Sequence, residues 1–211
     1  PKAYSGQNLN GRFQRLQLES RVAISVERCD VGDEVDVCAV LQRVRQVHGK
    51  MHVVIHAAGL LADALLLQQD PEHVNKVFNP KARAAWLLHK HTLNDELHSF
   101  VLFSSTASLF GNLGQTNYSG ANAFLDSLAR FRRAQNLAAA CIQWPGIADV
   151  GMASAMTATF QMDRTVMLET RLVKSVLNQL LMPTAPDGVQ APIPIAALRK
   201  DYLPQAVSEF A

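Results

Sequence analysis

Apolar positions along the chain fall into short runs and spaced stripes that alternate with one another. Residues 21–29 alternate apolar and polar, with Val22, Ile24 and Val26 on one side, and predict a strand. Residues 33–47 place Val35, Val37, Val40, Leu41 and Val44 close to helical spacing, with Asp33 as the N-cap. The run HVVIHAA at 52–58 ends at Gly59 and predicts a strand buried on both faces. A helix follows over 72–88, with a break near Pro80, and HSFVLFSS at 98–105 is a second buried strand. Residues 115–133 predict a helix with Phe124, Leu125, Leu128 and Phe131 on its apolar side. AAACIQW at 138–144 is a further strand, 169–181 a helix, and 189–198 a last, proline-bearing edge strand.

Strands alternating with helices predict an α/β fold: a parallel sheet with helices on both faces. At 211 residues the chain suits one domain, 1–211. Residues 152–168 are Met- and Thr-rich and weakly patterned, reading either as a loop or lid or as a surface helix. A hydrophobic content of 48% with 18% charged residues excludes a disordered chain. The net charge of +2 gives no footprint for nucleic acid or a membrane surface. His56 and Asp63 interrupt the most apolar stretch, 51–67, so no membrane span is expected, and no signal peptide is visible. Cys29, Cys38 and Cys141 are scattered and odd in number, which suits a reducing compartment, the cytoplasm, better than a disulfide framework or a zinc site. The first residue is Pro1, from which an excerpt of a longer polypeptide is expected.

Candidate chemistry centres on GQTNYSGANAF, 114–124. Tyr118 and Asn122 stand four apart on the predicted helix and share a face. In open α/β sheets, clefts form at the carboxyl ends of the strands. The FSS at 103–105 ends one strand, so Ser104 or Ser105 can reach the same cleft. A phenol needs a cation to work as an acid or base near neutrality, and Lys81, just after Pro80, is a candidate. Ser, Tyr, Lys and Asn together suit holding a carbonyl and handing it a proton.

Four stretches, HAAGLLADALL (56–66), FNPKARAAWLLH (78–89), 100–135 and IQWPGIADVGMA (142–153), closely resemble the ketoreductase domain of modular polyketide synthases and related type I fatty acid synthases. These are complex-type short-chain dehydrogenase/reductases with a Rossmann-like sheet. Ser105 lies 13 before Tyr118, Lys81 lies 37 before it and Asn122 lies 4 after it, the spacings of that family's tetrad. The resemblance implies that Tyr118 donates a proton to a ketone oxygen, Ser105 hydrogen-bonds that oxygen, Lys81 lowers the phenol's pKa, and Asn122 holds a relay water or orients the lysine. It implies hydride from NADPH and a β-ketoacyl thioester on an acyl carrier protein, reduced to a β-hydroxyacyl thioester. It also implies cofactor contacts at Asp30 and Val31, at Ala57, Ala58 and Gly59, at Lys81 and Tyr118, and at Pro145 and Gly146. In the last pair the order Trp144-Pro145-Gly146 departs from the family's usual Gly-Pro or Gly-Ala. Leu61-Ala62-Asp63 keeps the final Asp of one stereochemical signature, and Phe110, eight before Tyr118, replaces the Trp of the opposite one. Asp63 and Phe110 therefore favour the D-hydroxy (B-type) outcome.

No G-x-G occurs in these 211 residues. The resemblance thus implies that the first β-α-β unit, with its phosphate-binding turn, is absent, leaving a truncated Rossmann-like sheet. The strands at 21–29 and 52–58 are then expected to leave a gap or to pair directly, with exposed edges inviting a homodimer. Two alternatives accompany the reductase: an inert or dimerising module unable to bind NADPH, and a stand-alone reductase of a small ketone. Simpler readings attach to single residues. Asp63 alone reads as a loop or cap residue, and Ser104, Thr106 and Ser108 as structural. Trp86 and Trp144 read as core anchors and His56 as a strand-end residue. His89 and His91 read as a solvated pair that does not share a face, and 130–135 as a solvated helix end rather than a carrier-protein dock. The seven His residues have no metal-ligand pattern.

Overall fold

The computed structural model describes residues 18, 23–147, 167–181 and 193–194. The first helix, α1, is Glu34–His48, and Asp33 caps it by accepting from the amides of Val35 and Asp36. Strand β1 is Val53–His56. Helix α2, Pro71–Phe78, carries an Asp70 cap and Pro71 in its first turn. A π-helical turn, Asn79–Arg83, joins it to α3, Ala84–His91. Strand β2 is Ser99–Ser105, followed by the short α4, Ala107–Phe110, and the long α5, Thr116–Ala134. Strand β3 is Ala140–Trp144, α6 is Thr170–Leu181 and β4 is Ile193–Pro194. The sheet runs β1-β2-β3-β4 with every pairing parallel.

The break foreseen at Pro80 is a π turn rather than a helix end. Pro80 has no N–H to give to the α ladder, and a wider turn accommodates its ring without stopping the helix. Alternation along the sheet sorts two apolar layers. Phe100, Leu102 and Cys141 join Val54, Ala85, Leu125, Leu128 and Ala129 between the sheet and the α3–α5 face. Val101, Ala140, Ile142 and Trp144 face the other way and pack with Val173 and Leu180 of α6. This is the expected parallel sheet with helices on both faces. A third cluster, Val37, Leu41 and Leu87, fastens α1 to α3.

Several expectations are corrected. Residues 23–30 form no strand, and no ladder joins them to β1. Alternation supplied a face but no partner, and Val26 is 75% exposed. This segment is held instead by α1, through Glu27–Arg43 and the Ser25–His48 hydrogen bond. Among the described residues, 23–29 therefore do not pair directly with 52–58. On α5, Leu125 and Leu128 are buried, whereas Phe124 and Phe131 lie on its exposed side. Trp144 is buried, as a core anchor should be, but Trp86 is 43% exposed and stacks against His89 and Phe131. The pair His89 and His91 is not solvated: His89 is buried against Arg132, and His91 bonds Glu34. Residues 130–135 are not uniformly solvated either, because Arg132 is fully buried. The lid or helix at 152–168 lies, but for its last two residues, outside the described residues, as do most of 189–198.

Candidate active site

Because all the strands are parallel, the carboxyl ends of β1, β2 and β3 open on one side of the sheet. His56 ends β1 and is followed by Ala57, Ala58 and Gly59; Ser105 ends β2; Trp144 ends β3 and is followed by Pro145 and Gly146. At Gly146 the carbonyl accepts from the Leu168 amide at 2.7 Å, which ties this loop to the residues before α6. The π turn brings Lys81 to the same side. Lys81 is 2% exposed, and its Nζ donates to the Phe103 carbonyl at 2.9 Å. From there Nζ stands 5.4 Å from the centroid of the Tyr118 ring. Burial pulls the ammonium down to about 8, against smaller upward effects of Cys141 and Asp126.

Tyr118 sits in the first turns of α5, whose start is pinned to the loop after β1. Asn117 donates to the Ala62 carbonyl at 2.8 Å and to the His73 carbonyl at 3.2 Å, and the Ala64 amide donates to the Gly114 carbonyl. Gly114 holds φ +74°, a backbone conformation that suits glycine. The phenol's pKa is raised, chiefly by burial; Asn122 and Ser105 oppose the rise as hydrogen-bond partners, and Asp63 adds to it. Burial is the largest cause and Asp63 acts in the same direction, so Tyr118 keeps its proton near neutrality. Ser105 Oγ accepts from the Ala107 amide at 3.2 Å, so its own hydroxyl hydrogen stays available. Asn122 is wholly buried and donates to the Tyr118 carbonyl at 2.8 Å, while its Oδ1 has no protein partner. A buried acceptor left unpaired is costly unless a water or ligand meets it.

The remaining foreseen residues fall into three places. Asp63 is held by Gln115 at 2.9 Å, at the start of α5. Phe110 closes α4 and is partly buried. Asp30 serves its own turn, accepting from the Gly32 amide, while its backbone N–H donates to Asp36. Gly32, the residue after Val31, lies beside Asn79, which a Cβ there would approach to 3.3 Å. Residue-by-residue reading missed a polar group behind the site. Asp126 on α5 accepts from Ser108 Oγ at 2.7 Å, Gln143 Nε2 at 2.8 Å and Cys141 Sγ at 3.0 Å. Its signal was available: Asp126 is four residues beyond Asn122, on the helix face that also carries Leu125 and Ala129. His56 was also undervalued. It is buried, its Nε2–H donates to the Lys81 carbonyl at 2.9 Å, and burial pulls it down to about 4, so it is neutral. No group of His, Cys, Asp and Glu suited to a metal occurs among the described residues.

The model of the KR domain family matches residues 4–149. The chain belongs to the KR domain family. Among curated proteins this KR domain is 50% identical over 116 residues to polyketide synthase GfsB of Streptomyces halstedii, a match covering 55% of this chain and 2% of that protein. It is 46% identical over 137 residues to chalcone synthase cfoA of Aspergillus candidus, covering 64% of this chain and 5% of the relative. The chain thus spans a few per cent of the length of these relatives. Among solved structures, an A-type ketoreductase from a modular polyketide synthase superposes with a TM-score of 0.70 at 33% identity, covering 81% of this chain and 36% of that one. The sheet of this KR domain is accordingly Rossmann-like, as the resemblance implied. No helix among the described residues is long and apolar enough to cross a membrane.

Proposed function

We propose that this KR domain reduces a β-ketoacyl thioester, presented on an acyl carrier protein, to a β-hydroxyacyl thioester with NADPH. The observation that carries the proposal is the buried Lys81 ammonium 5.4 Å from the Tyr118 ring centroid, with Ser105 at the end of β2 and Asn122 one turn further along α5. Tyr118, which holds its proton near neutrality, gives it to the ketone oxygen as that oxygen gains charge. Ser105 donates its free hydroxyl hydrogen to the same oxygen. Lys81, protonated below about pH 8, steadies the phenolate left behind. The unpaired Asn122 Oδ1 holds the water through which Tyr118 regains a proton.

The nicotinamide half of the cofactor fits what is present: Lys81 is a buried ammonium with donors beyond its Phe103 bond, and its carbonyl accepts from His56, the residue before Ala57–Gly59. The cofactor supplies the hydride. Asp30 and Val31 are assigned to its adenine end. No G-x-G in these 211 residues offers a pyrophosphate cradle. Asp63, fixed by Gln115, and Phe110 in place of a Trp support the D-hydroxy product. The decisive experiment is Tyr118→Phe in the full-length protein, followed by NADPH absorbance with a carrier-bound β-ketoacyl substrate. Turnover should fall by ~10³-fold; turnover within tenfold of the parent would sink the reading. Comparing carrier-bound with free ketone separates a synthase domain from a small-ketone reductase.

One observation favours a second reading, a dimerising module without reductase activity. Val53 and Ile55 of β1 are 39% and 44% exposed, and β1 has no outer neighbour among the described residues. That reading predicts no saturable NADPH binding by fluorescence and a dimer by sedimentation.

A further inference from the structure

The turn that carries Lys81 is held to the sheet at two points. Lys81 Nζ donates to the Phe103 carbonyl on β2 at 2.9 Å. The Lys81 carbonyl accepts from His56 Nε2, at the end of β1, at 2.9 Å. The two strands are neighbours, and His56 pairs with Leu102, the residue before Phe103. Lys81 therefore bridges β1 and β2 near their carboxyl ends, with its main chain on one strand and its ammonium on the other. Lys81 and Ala82 are the buried residues of the turn. The proton-transfer chemistry above gives His56 no part.

Hydrogen-bond accounting in the turn explains what the imidazole does there. The Ala84 amide is shared between the carbonyls of Asn79 and Lys81, five and three residues back. A divided donor serves a buried carbonyl poorly, and an underserved buried carbonyl is costly. Pro80, inside the turn, has no N–H to contribute. His56 brings an undivided N–H to the Lys81 carbonyl from outside the helix. The imidazole is itself 3% exposed and, drawn down to about 4 by burial, stays neutral near neutrality. A neutral ring has one N–H, and here it is committed to Lys81.

We infer that His56 is a positioning residue for the reductase: by holding the Lys81 carbonyl it keeps the π turn against β1 and the ammonium beside Tyr118. The inference rests on the reading of Lys81 and Tyr118 given above. With the imidazole removed, the Lys81 main chain loses its hydrogen bond to the sheet. The 5.4 Å approach of Nζ to the Tyr118 ring centroid then depends on the side-chain bond to Phe103.

The test uses the full-length protein with His56→Leu and His56→Gln, both checked for folding by circular dichroism. Gln places an N–H close to the position of Nε2, whereas Leu fills similar space without a donor. The Lys81 ε-methylene signal is followed by NMR of 13C-lysine-labelled protein without cofactor and assigned with Lys81→Met. The ring current of Tyr118 displaces that signal, and Tyr118→Leu marks its position with the ring gone. In His56→Leu the signal should move most of the way to that mark, and kcat should fall by about tenfold or more. In His56→Gln both should stay near the parent. His89→Leu, which removes a buried imidazole elsewhere, controls for lost stability alone and should move neither. Should His56→Leu not fold, His56→Met removes the same donor and is read in the same way. A Lys81 signal that stays in place in the donor-free variant, or that moves as far in His56→Gln or in His89→Leu, overturns the inference. Because that signal needs neither cofactor nor turnover, its failure is distinct from failure of the reductase reading, which Tyr118→Phe tests.

Discussion

Two cations are buried among the described residues of this KR domain, and their surroundings differ. Arg132, 1% exposed, is surrounded by partners: its Nε donates to the Ala138 carbonyl at 3.1 Å, its Nη1 to His89 Nδ1 at 2.9 Å, and its guanidinium lies 3.9 Å from the Phe100 ring centroid. Lys81 is 2% exposed; its ammonium has one described hydrogen bond and faces a phenol. Burial lowers both, Arg132 to about 10 and Lys81 to about 8. A guanidinium cannot give up its proton in ordinary conditions, so it suits a fixed structural role; an ammonium near 8 responds to what binds beside it. The arginine, held by a carbonyl, an imidazole and an aromatic face, is architecture. The lysine, held by one carbonyl and facing a phenol, is prepared for a ligand.

The sharpest way to break this contrast is to exchange the outcomes of mutation. Lys81→Met should reduce turnover by ~10³-fold while holding or raising the midpoint of urea unfolding, because a buried charge is replaced by an apolar chain of similar length. Arg132→Met should do the reverse: a loss of about 3 kcal/mol in urea unfolding with kcat close to that of the parent. If the arginine variant lost activity in proportion to the lysine variant, the division between structure and chemistry would not hold.

A pH scan sharpens the Lys81 side. His56, whose Nε2–H anchors the Lys81 carbonyl, is held at about 4, below its ordinary 6.5. The unfolded chain therefore binds a proton first as the pH drops. Stability from this group is complete above about pH 6.5 and declines as pH falls toward 4, by on the order of 3 kcal/mol in all. Replacing it by Gln should flatten that part of the curve, measured by denaturant titration at several pH values. On the Arg132 side, His89→Leu leaves one guanidinium N–H without its acceptor and should cost about 1–2 kcal/mol with unchanged turnover.

The same contrast explains what was legible in the sequence. Strands β1, β2 and β3 and helices α1 and α5 follow from apolar runs and stripes, and the candidate tetrad rests on the spacing of a family resemblance. Lys81 announced itself by its distance from Tyr118 and its place after Pro80. Arg132 could not, because RFRRAQ is a charge run, and a run does not reveal which of its members turns inward. Only the helical phase of α5, with Leu125, Leu128 and Ala129 buried, puts Arg132 on the inner face while Arg130 stays outside. His89 was hidden for the same reason, since its buried partner is 43 residues away in the chain. Residues 23–30 erred in the opposite direction. Their alternation was plain, but a strand requires a neighbour, and no local pattern reports whether one exists. Asp63 is held by Gln115, a partner 52 residues on that no local pattern names.

The π turn at Asn79–Arg83 can also be viewed as a matter of phase. It accommodates one more residue per turn than the helices on either side, so it is an insertion that never left the helix. A residue on an α-helix advances about 100° around the axis. A chain shorter by one codon within this turn could rewind as continuous α-helix, and the stretches on its two sides would then differ in bearing by about that angle. Lys81 would be turned away from Tyr118, or Ala84, Ala85 and Leu87 would leave the core. The site and the core share one helical path, and the extra residue lets both be satisfied at once.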